Sequence, residues 1–206
     1  MLMKFWKNIL FLLWLYLFIL MLEITLRYIP ITSDASFLAI KQNEVINIPF
    51  YLSIFYVHVY SSIFVLFFGI FQFLKINNRF TLKIHKLFGK LYFYMVILFA
   101  APSGIFIGFY ANGEVNTKIA FIILGTLWLF FTVMGVIKVK NKNILLHRKY
   151  MLRSYALATS ALTLRVWKVI IVYFFYLPPM DVYQIIAWLG FVPNLIFIEL
   201  YITKKT

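Results

Sequence analysis

Three histidines, one arginine and one glutamate stand where the polarity of their neighbours gives them no ordinary reason to be. His58 and Arg165 fall inside long apolar runs, and Glu199 is the one carboxylate expected within a hydrophobic segment. His85 and His147 each open such a run, with Lys86 and Arg148 beside them and Arg153 within two turns of His147. An ionisable group inside a membrane span is costly and marks a functional site by default. Two neutral imidazoles at one depth on facing helices could ligate a b-type haem axially, with Lys86 and Arg148 placed for its propionates. A quinone needs only hydrogen-bond donors for its carbonyls, which His58 and Arg165 could provide. The same pair could hold an anionic head group, because a guanidinium presents a planar fork of donors.

Depth sorts these residues into two groups. At about 1.5 Å per residue, His58 precedes Lys75 by 17 residues, about 25 Å, and Arg165 follows His147 by 18, about 27 Å. Pro102, Ser103 and Gly104 follow His85 by a similar count. The expected outer site is therefore His58, Ser61, Ser62, Ser103 and Arg165. Pro102 frees a backbone carbonyl there, which Arg165 could use as an acceptor. The expected inner polar site is His85, His147, Arg148, Arg153 and Glu199. Glu199 should pair with Arg153 or an inner histidine, since an unpaired buried charge costs far more.

Each group also has a structural reading. His85 and His147 would then be interfacial residues of basic loops, and His58 a packing histidine bonded to a serine or a carbonyl. Arg165 would tie helices through carbonyls, and Lys168 would snorkel to the outer surface. Ser154, Ala156, Ala158, Thr159, Ser160 and Ala161 permit close helix packing, and the Trp and Tyr residues suit interfacial belts.

The elements that must hold these groups are membrane helices. Hydrophobic residues make up 64% of the 206 residues and charged ones 13%, against about half and about a quarter in a soluble domain. The absence of Cys excludes disulfides and thiolate metal sites. The net charge of +14 lies in short loops between apolar runs, which points to topology signals and membrane lipids rather than nucleic acid.

Six spans are expected, at about 5–22, 50–74, 85–110, 118–137, 147–177 and 182–202. The fold class is all-α, a polytopic membrane helix bundle forming a single transmembrane domain over 1–206. An extracytoplasmic segment, 23–47, carries a short helix from Ala35 to Gln42, and a five-helix core covers 50–202. The first run is long for a signal peptide and no small-x-small cleavage site follows it, so it reads as a retained span. The loops Lys75–Lys90 and Lys138–Arg153 are basic, and Lys204 and Lys205 fall on the side of Lys4 and Lys7. Glu23, Asp34, Glu44, Glu114 and Asp181 fall in the opposite segments. The positive-inside rule therefore places both termini in the cytoplasm.

Several motifs occur in order along the chain. His58 is followed by Gly69-x2-Gln72-Phe73 and Arg79-x5-His85-Lys86-x2-Gly89-x2-Tyr92; then come His147-Arg148-x2-Met151-x-Arg153-Ser154-Tyr155-Ala156 and Thr163-Leu164-Arg165. Trp188-x3-Val192-Pro193-Asn194-Leu195 and Glu199 close the set. Over about 50–202 these resemble the bacterial membrane family known as domain of unknown function 2306. Lys86 departs from it, standing where Arg is expected, and keeps the positive charge. The resemblance implies a multi-pass protein of the bacterial cytoplasmic (inner) membrane and implies no particular activity.

No phosphate-binding glycine loop, HExxH or nucleophile elbow occurs, and three isolated histidines do not make a zinc signature. Whether the chain is an enzyme stays open. Three classes remain: a carrier or lipid-binding protein using His58 and Arg165, an accessory subunit of a larger membrane complex, and a redox-linked protein binding haem or quinone.

Overall fold

Hydrocarbon offers the backbone no hydrogen-bond partners, so apolar runs of this length satisfy their own amides as helices. A computed structural model describes residues 2–204, and the side chains of residues 8–204. The side-chain charges of Lys4 and Lys7 and the whole of Lys205 lie outside the described residues. All regular structure among those residues is helical, and it divides into two compact units, Met1–Pro49 and Phe50–Thr206.

The first unit contains α1 (Leu2–Leu26), a 3-10 turn (Ser36–Ile40) and α2 (Gln42–Asn47). The single short helix expected from Ala35 to Gln42 is thus two pieces that meet at Lys41. That residue closes the 3-10 turn by donating its backbone N–H to the Leu38 carbonyl, and its buried ammonium lies 2.5 Å from Glu44.

The second unit begins with α3 (Tyr51–Ile70), extended by a 3-10 turn (Phe71–Phe73). Next come α4 (Arg79–Met95), a π-helical turn (Val96–Ala100) and α5 (Ala101–Phe109), which together make one span. The rest are α6 (Glu114–Lys140), α7 (Ile144–Ala158), α8 (Ser160–Phe175), α9 (Pro179–Leu189) and α10 (Val192–Thr203). Five segments are long and apolar enough to cross a membrane: Asn8–Leu26, Tyr51–Phe73, Arg79–Phe109, Glu114–Lys140 and Pro179–Thr203. α7 and α8 meet at 42° and are together long and apolar enough for a sixth, as one bent span or as a re-entrant pair. The protein is an all-α polytopic helix bundle.

Several helix starts come earlier than the sequence reading, α6 at Glu114 and α9 at Pro179 among them, and two of them carry site residues. α4 begins at Arg79 rather than His85, because Asn78 and Thr81 form a reciprocal capping box. α7 begins at Ile144, with the Asn143 side chain accepting the Leu146 N–H at 3.0 Å. His85 and His147 therefore sit inside their helices rather than at the ends. The basic stretch before them is largely the amphipathic opening of α4, where Phe80, Lys83, Lys86 and Leu87 are all exposed.

α6 packs along α5 and α7, α3 lies against α4, the π-helical turn and α5, and α8 packs chiefly on α9. α3 and α7 meet at Gly69, where a Cβ would fall 2.1 Å from the Tyr155 ring. The Tyr155 hydroxyl donates to the Leu66 carbonyl at 3.2 Å beside that contact.

Candidate functional site

Pro102 has no N–H, so the turn before it cannot close as an ordinary helix and opens into the π-helical turn. Two carbonyls of that turn accept hydrogen bonds, one from α3 and one from within α5. His58 Nδ1 lies 2.9 Å from the Ala100 carbonyl, and Ser103 donates to the Phe99 carbonyl at 2.5 Å. A carbonyl only accepts, so Nδ1 carries a proton, and in the neutral imidazole Nε2 then presents a lone pair. Nε2 has no hydrogen-bond partner among the described residues. Gly104 lets the ring lie flat on α5, since a Cβ there would sit 2.9 Å from His58 Cε1.

The other expected outer residues divide. Ser61 donates to the His58 carbonyl at 3.3 Å, an intrahelical bond. Ser62, one turn from His58 on the same face of α3, has a buried hydroxyl with no partner among the described residues. Arg165 donates to the Ala161 carbonyl of its own helix at 2.7 Å and stands within electrostatic range of His58 and of Tyr183 on α9. The Ala100 and Phe99 carbonyls of the π-helical turn are met by His58 and Ser103, because α3 packs directly on that turn. With an Nδ1 proton committed to Ala100, His58 in its neutral form is an acceptor towards a ligand, and Arg165 is a donor.

The inner residues form two separate groups. Arg153 on α7 grips Glu199 on α10 through Nε to Oε1 and through Nη2 to Oε2, the latter at 2.7 Å. Its guanidinium also lies 5.5 Å from the Tyr150 ring centroid. His147 Nδ1 donates to the Gly135 carbonyl at 2.8 Å, which leaves its Nε2 bare. His85 stands within electrostatic range of His147, and its Nδ1 is buried without a partner among the described residues. Gln72 has a similarly orphaned Nε2 and lies against Gly89, one turn beyond His85. Lys86 and Arg148 are exposed. Among the described residues no group of three or more His, Asp or Glu side chains converges as a metal site.

Two polar clusters were not anticipated. In the first, Thr132 donates to the Trp128 carbonyl at 2.7 Å, so the 2.7 Å contact between Ser154 and Thr132 must have Ser154 as donor. Tyr92 then donates to Ser154 at 2.7 Å, and Trp128 Nε1 donates to the Tyr92 oxygen at 3.3 Å. The chain starts and ends on Trp128, and every proton in it has one place to go. Ser154 therefore does more than permit packing: it closes a buried ring linking α4, α6 and α7.

In the second, Asn194 on α10 donates to the Ala156 carbonyl at 3.1 Å, the Thr163 hydroxyl at 3.0 Å and the Gly190 carbonyl at 3.2 Å. Thr163 donates to that same Gly190 carbonyl at 2.5 Å. These bonds bridge the break between α7 and α8 and the break between α9 and α10. Asn194 was legible as a lone amide beside Pro193 in an apolar run. Tyr92 stood in a motif that gave no hint of its partners, and Trp128 carried no signal among 5 Trp.

These features describe a multi-pass helical membrane protein whose polar residues are mostly spent on one another, with a few atoms left open. The chain belongs to the family described as predicted membrane protein (DUF2306), whose model matches residues 55–202, from within α3 to the end of α10. No curated protein and no solved structure matches it.

Proposed function

We propose that the protein binds a lipid or another small amphiphile at the level of His58 and Arg165, acting as a carrier or binding protein. The observation that carries this reading is the bare Nε2 of His58, held in place by the Ala100 carbonyl, with the orphaned Ser62 hydroxyl one turn away. Orphaned polar groups at membrane depth are expensive, and a ligand or water relieves them. Arg165 supplies a cation for a phosphate, carboxylate or carbonyl, and His58 Nε2 accepts a hydrogen bond from a hydroxyl on the same head group. By the loop charges this level belongs to the outer leaflet.

The test separates binding from folding. His58→Asn keeps a donor at the Nδ1 position and removes Nε2; Arg165→Lys keeps the charge and removes the fork. Native mass spectrometry of protein purified from its membrane should find an amphiphile on the parent and not on either variant, at unchanged melting temperature. Retention of the same molecule by both variants, or a loss of stability in its place, would refute the proposal.

A second reading is favoured by one observation, the His147 bond to Gly135. Haem-ligating and metal-ligating imidazoles characteristically donate their remote N–H to such a carbonyl, which fixes the ring and exposes Nε2. His85 and His147 would hold a b-type haem, supplying one-electron redox chemistry, with Lys86 and Arg148 near its propionates. The parent expressed with ample haem should then show a reduced-minus-oxidised difference spectrum that either histidine substitution abolishes. A parent without such a spectrum ends this reading.

A further inference from the structure

A groove of about 250 Å3 runs between the end of α3, α7 and α10, away from His58 and Arg165. Its walls are Phe73, Leu152, Tyr155, Phe197 and Ile198, and its polar end is formed by Ala156, Thr159 and Asn194. Asn194 precedes Thr203, the last residue of α10, by 9 residues, about 13 Å, which puts this end near the middle of a hydrocarbon core about 30 Å thick.

Proton accounting determines what the polar end can bind. The amide of Asn194 faces two backbone carbonyls, those of Ala156 and Gly190, so its nitrogen must point there. Its Oδ1 is the atom not tied into the wall, and it has no partner among the described residues. Thr159 spends its proton on the Ala156 carbonyl at 2.9 Å, and Tyr155 spends its own on Leu66. The groove therefore offers acceptors and no donor. Arg153 and Glu199, next in sequence to Leu152 and Ile198, are bound to each other and bring no free charge to it.

We propose that this groove is a binding site for a neutral, lipid-soluble hydroxyl compound, which donates its O–H to Asn194 Oδ1 and lays its apolar body along Phe73, Tyr155 and Phe197. An anion would meet only acceptors, and a cation would be buried at mid-membrane without a counter-charge. The volume exceeds the roughly 150 Å3 that encloses a single benzene ring, so a two-ring phenol, a hydroquinone or a folded isoprenoid alcohol fits.

The experiment measures the thermal shift of the purified protein against three probes: a decyl-substituted benzohydroquinone, the matching quinone, and farnesol. The hydroquinone or farnesol should raise the melting temperature, and whichever binds identifies the aromatic or aliphatic source. The quinone has the same body and no O–H, so it should bind about tenfold more weakly than the hydroquinone if that is the ligand. Ala156→Leu fills the polar end without touching the Asn194 bonds, because the backbone carbonyl remains, and should abolish the shift while the unliganded protein melts as before. His58→Asn should leave binding intact. Equal binding of quinone and hydroquinone, survival of binding in Ala156→Leu, loss of it in His58→Asn, or no shift with any probe would each overturn the assignment.

Discussion

The Tyr92 hydroxyl on α4 donates to the Ser154 hydroxyl on α7 at 2.7 Å, and that bond is one side of a closed ring whose other members are Thr132 and Trp128. The ring cannot pass a proton onward, since its last donor bonds the carbonyl of the residue that supplies its first. It is a clamp between helices. Tyr92→Phe leaves the Trp128 N–H buried without an acceptor, and an orphaned donor of this kind costs about 1–3 kcal/mol. The melting temperature in detergent should fall. Adding Trp128→Phe, which removes the orphan, should restore part of it; a double variant no more stable than Tyr92→Phe would disprove the closed ring.

Gly69 sets how closely α3 approaches α7. A Cβ there would lie 2.1 Å and 2.4 Å from two atoms of the Tyr155 ring, too close for the ring to stay, and its bond to Leu66 would go with it. Overpacking of this kind costs about 1–3 kcal/mol. Gly69→Ala should therefore destabilise the protein, and in a Tyr155→Leu background it should cost much less. Additive effects of the two substitutions would show that the helices do not touch at this point.

Arg153 and Glu199 invite a large estimate that their exposure does not support. Breaking a fully buried ion pair costs about 3–5 kcal/mol. The Glu199 side chain is 46% exposed, however, and lies one turn from the end of α10; where that open side meets water the pair is worth closer to about 1 kcal/mol. Glu199→Gln should produce a small drop in melting temperature and keep one hydrogen bond to the guanidinium. A drop as large as that of Tyr92→Phe would mean that the pair is far less solvated than its surface suggests.

The helical membrane class and the five continuous spans were legible because hydropathy over about 20 residues is a strong signal. Helix starts were less so: Asn78 with Thr81 marks a capping box, yet the cluster of Lys and Arg after it reads as loop until α4 is seen to open as an amphipathic turn. At the outer level His58 and Ser103 were found by counting rise per residue, which fixes depth but not azimuth. Azimuth decides which side chain meets the π-helical turn, and there His58 of α3 bonds the Ala100 carbonyl. Asn194 was visible and passed over, while Tyr92 was named in a motif without any sign of what it bonds. Its partners lie 36 and 62 residues away, and nothing local distinguishes a buried tyrosine from one in an interfacial belt.

The last prediction concerns the bend between α7 and α8, because the sidedness of everything after it depends on that bend. If the two helices form one kinked span, the chain crosses the membrane between Lys142 and Pro178. If they form a re-entrant loop, it returns to the side it left, and α9 with α10 runs the other way. The charges favour a crossing. Lys138 and Lys140 complete the last turn of α6, and Arg148 and Lys149 follow in α7, whereas the segment from Tyr176 to Tyr183 holds Asp181 and no cation. A crossing also gives the 42° bend a cause in Thr159 and Ser160, whose neighbours Ala156 and Thr163 are held from α10 by Asn194. Single cysteines at Lys142 and Pro178, in a chain that has none of its own, should label from opposite faces with a membrane-impermeant maleimide, Lys142 from the cytoplasm and Pro178 from outside. A reporter fused after Thr206 should then read cytoplasm, and one near Lys41 the exterior. Labelling of both cysteines from the same face would make α7 and α8 a re-entrant pair, move the C-terminus outside, and reverse the orientation of the Asn194 groove.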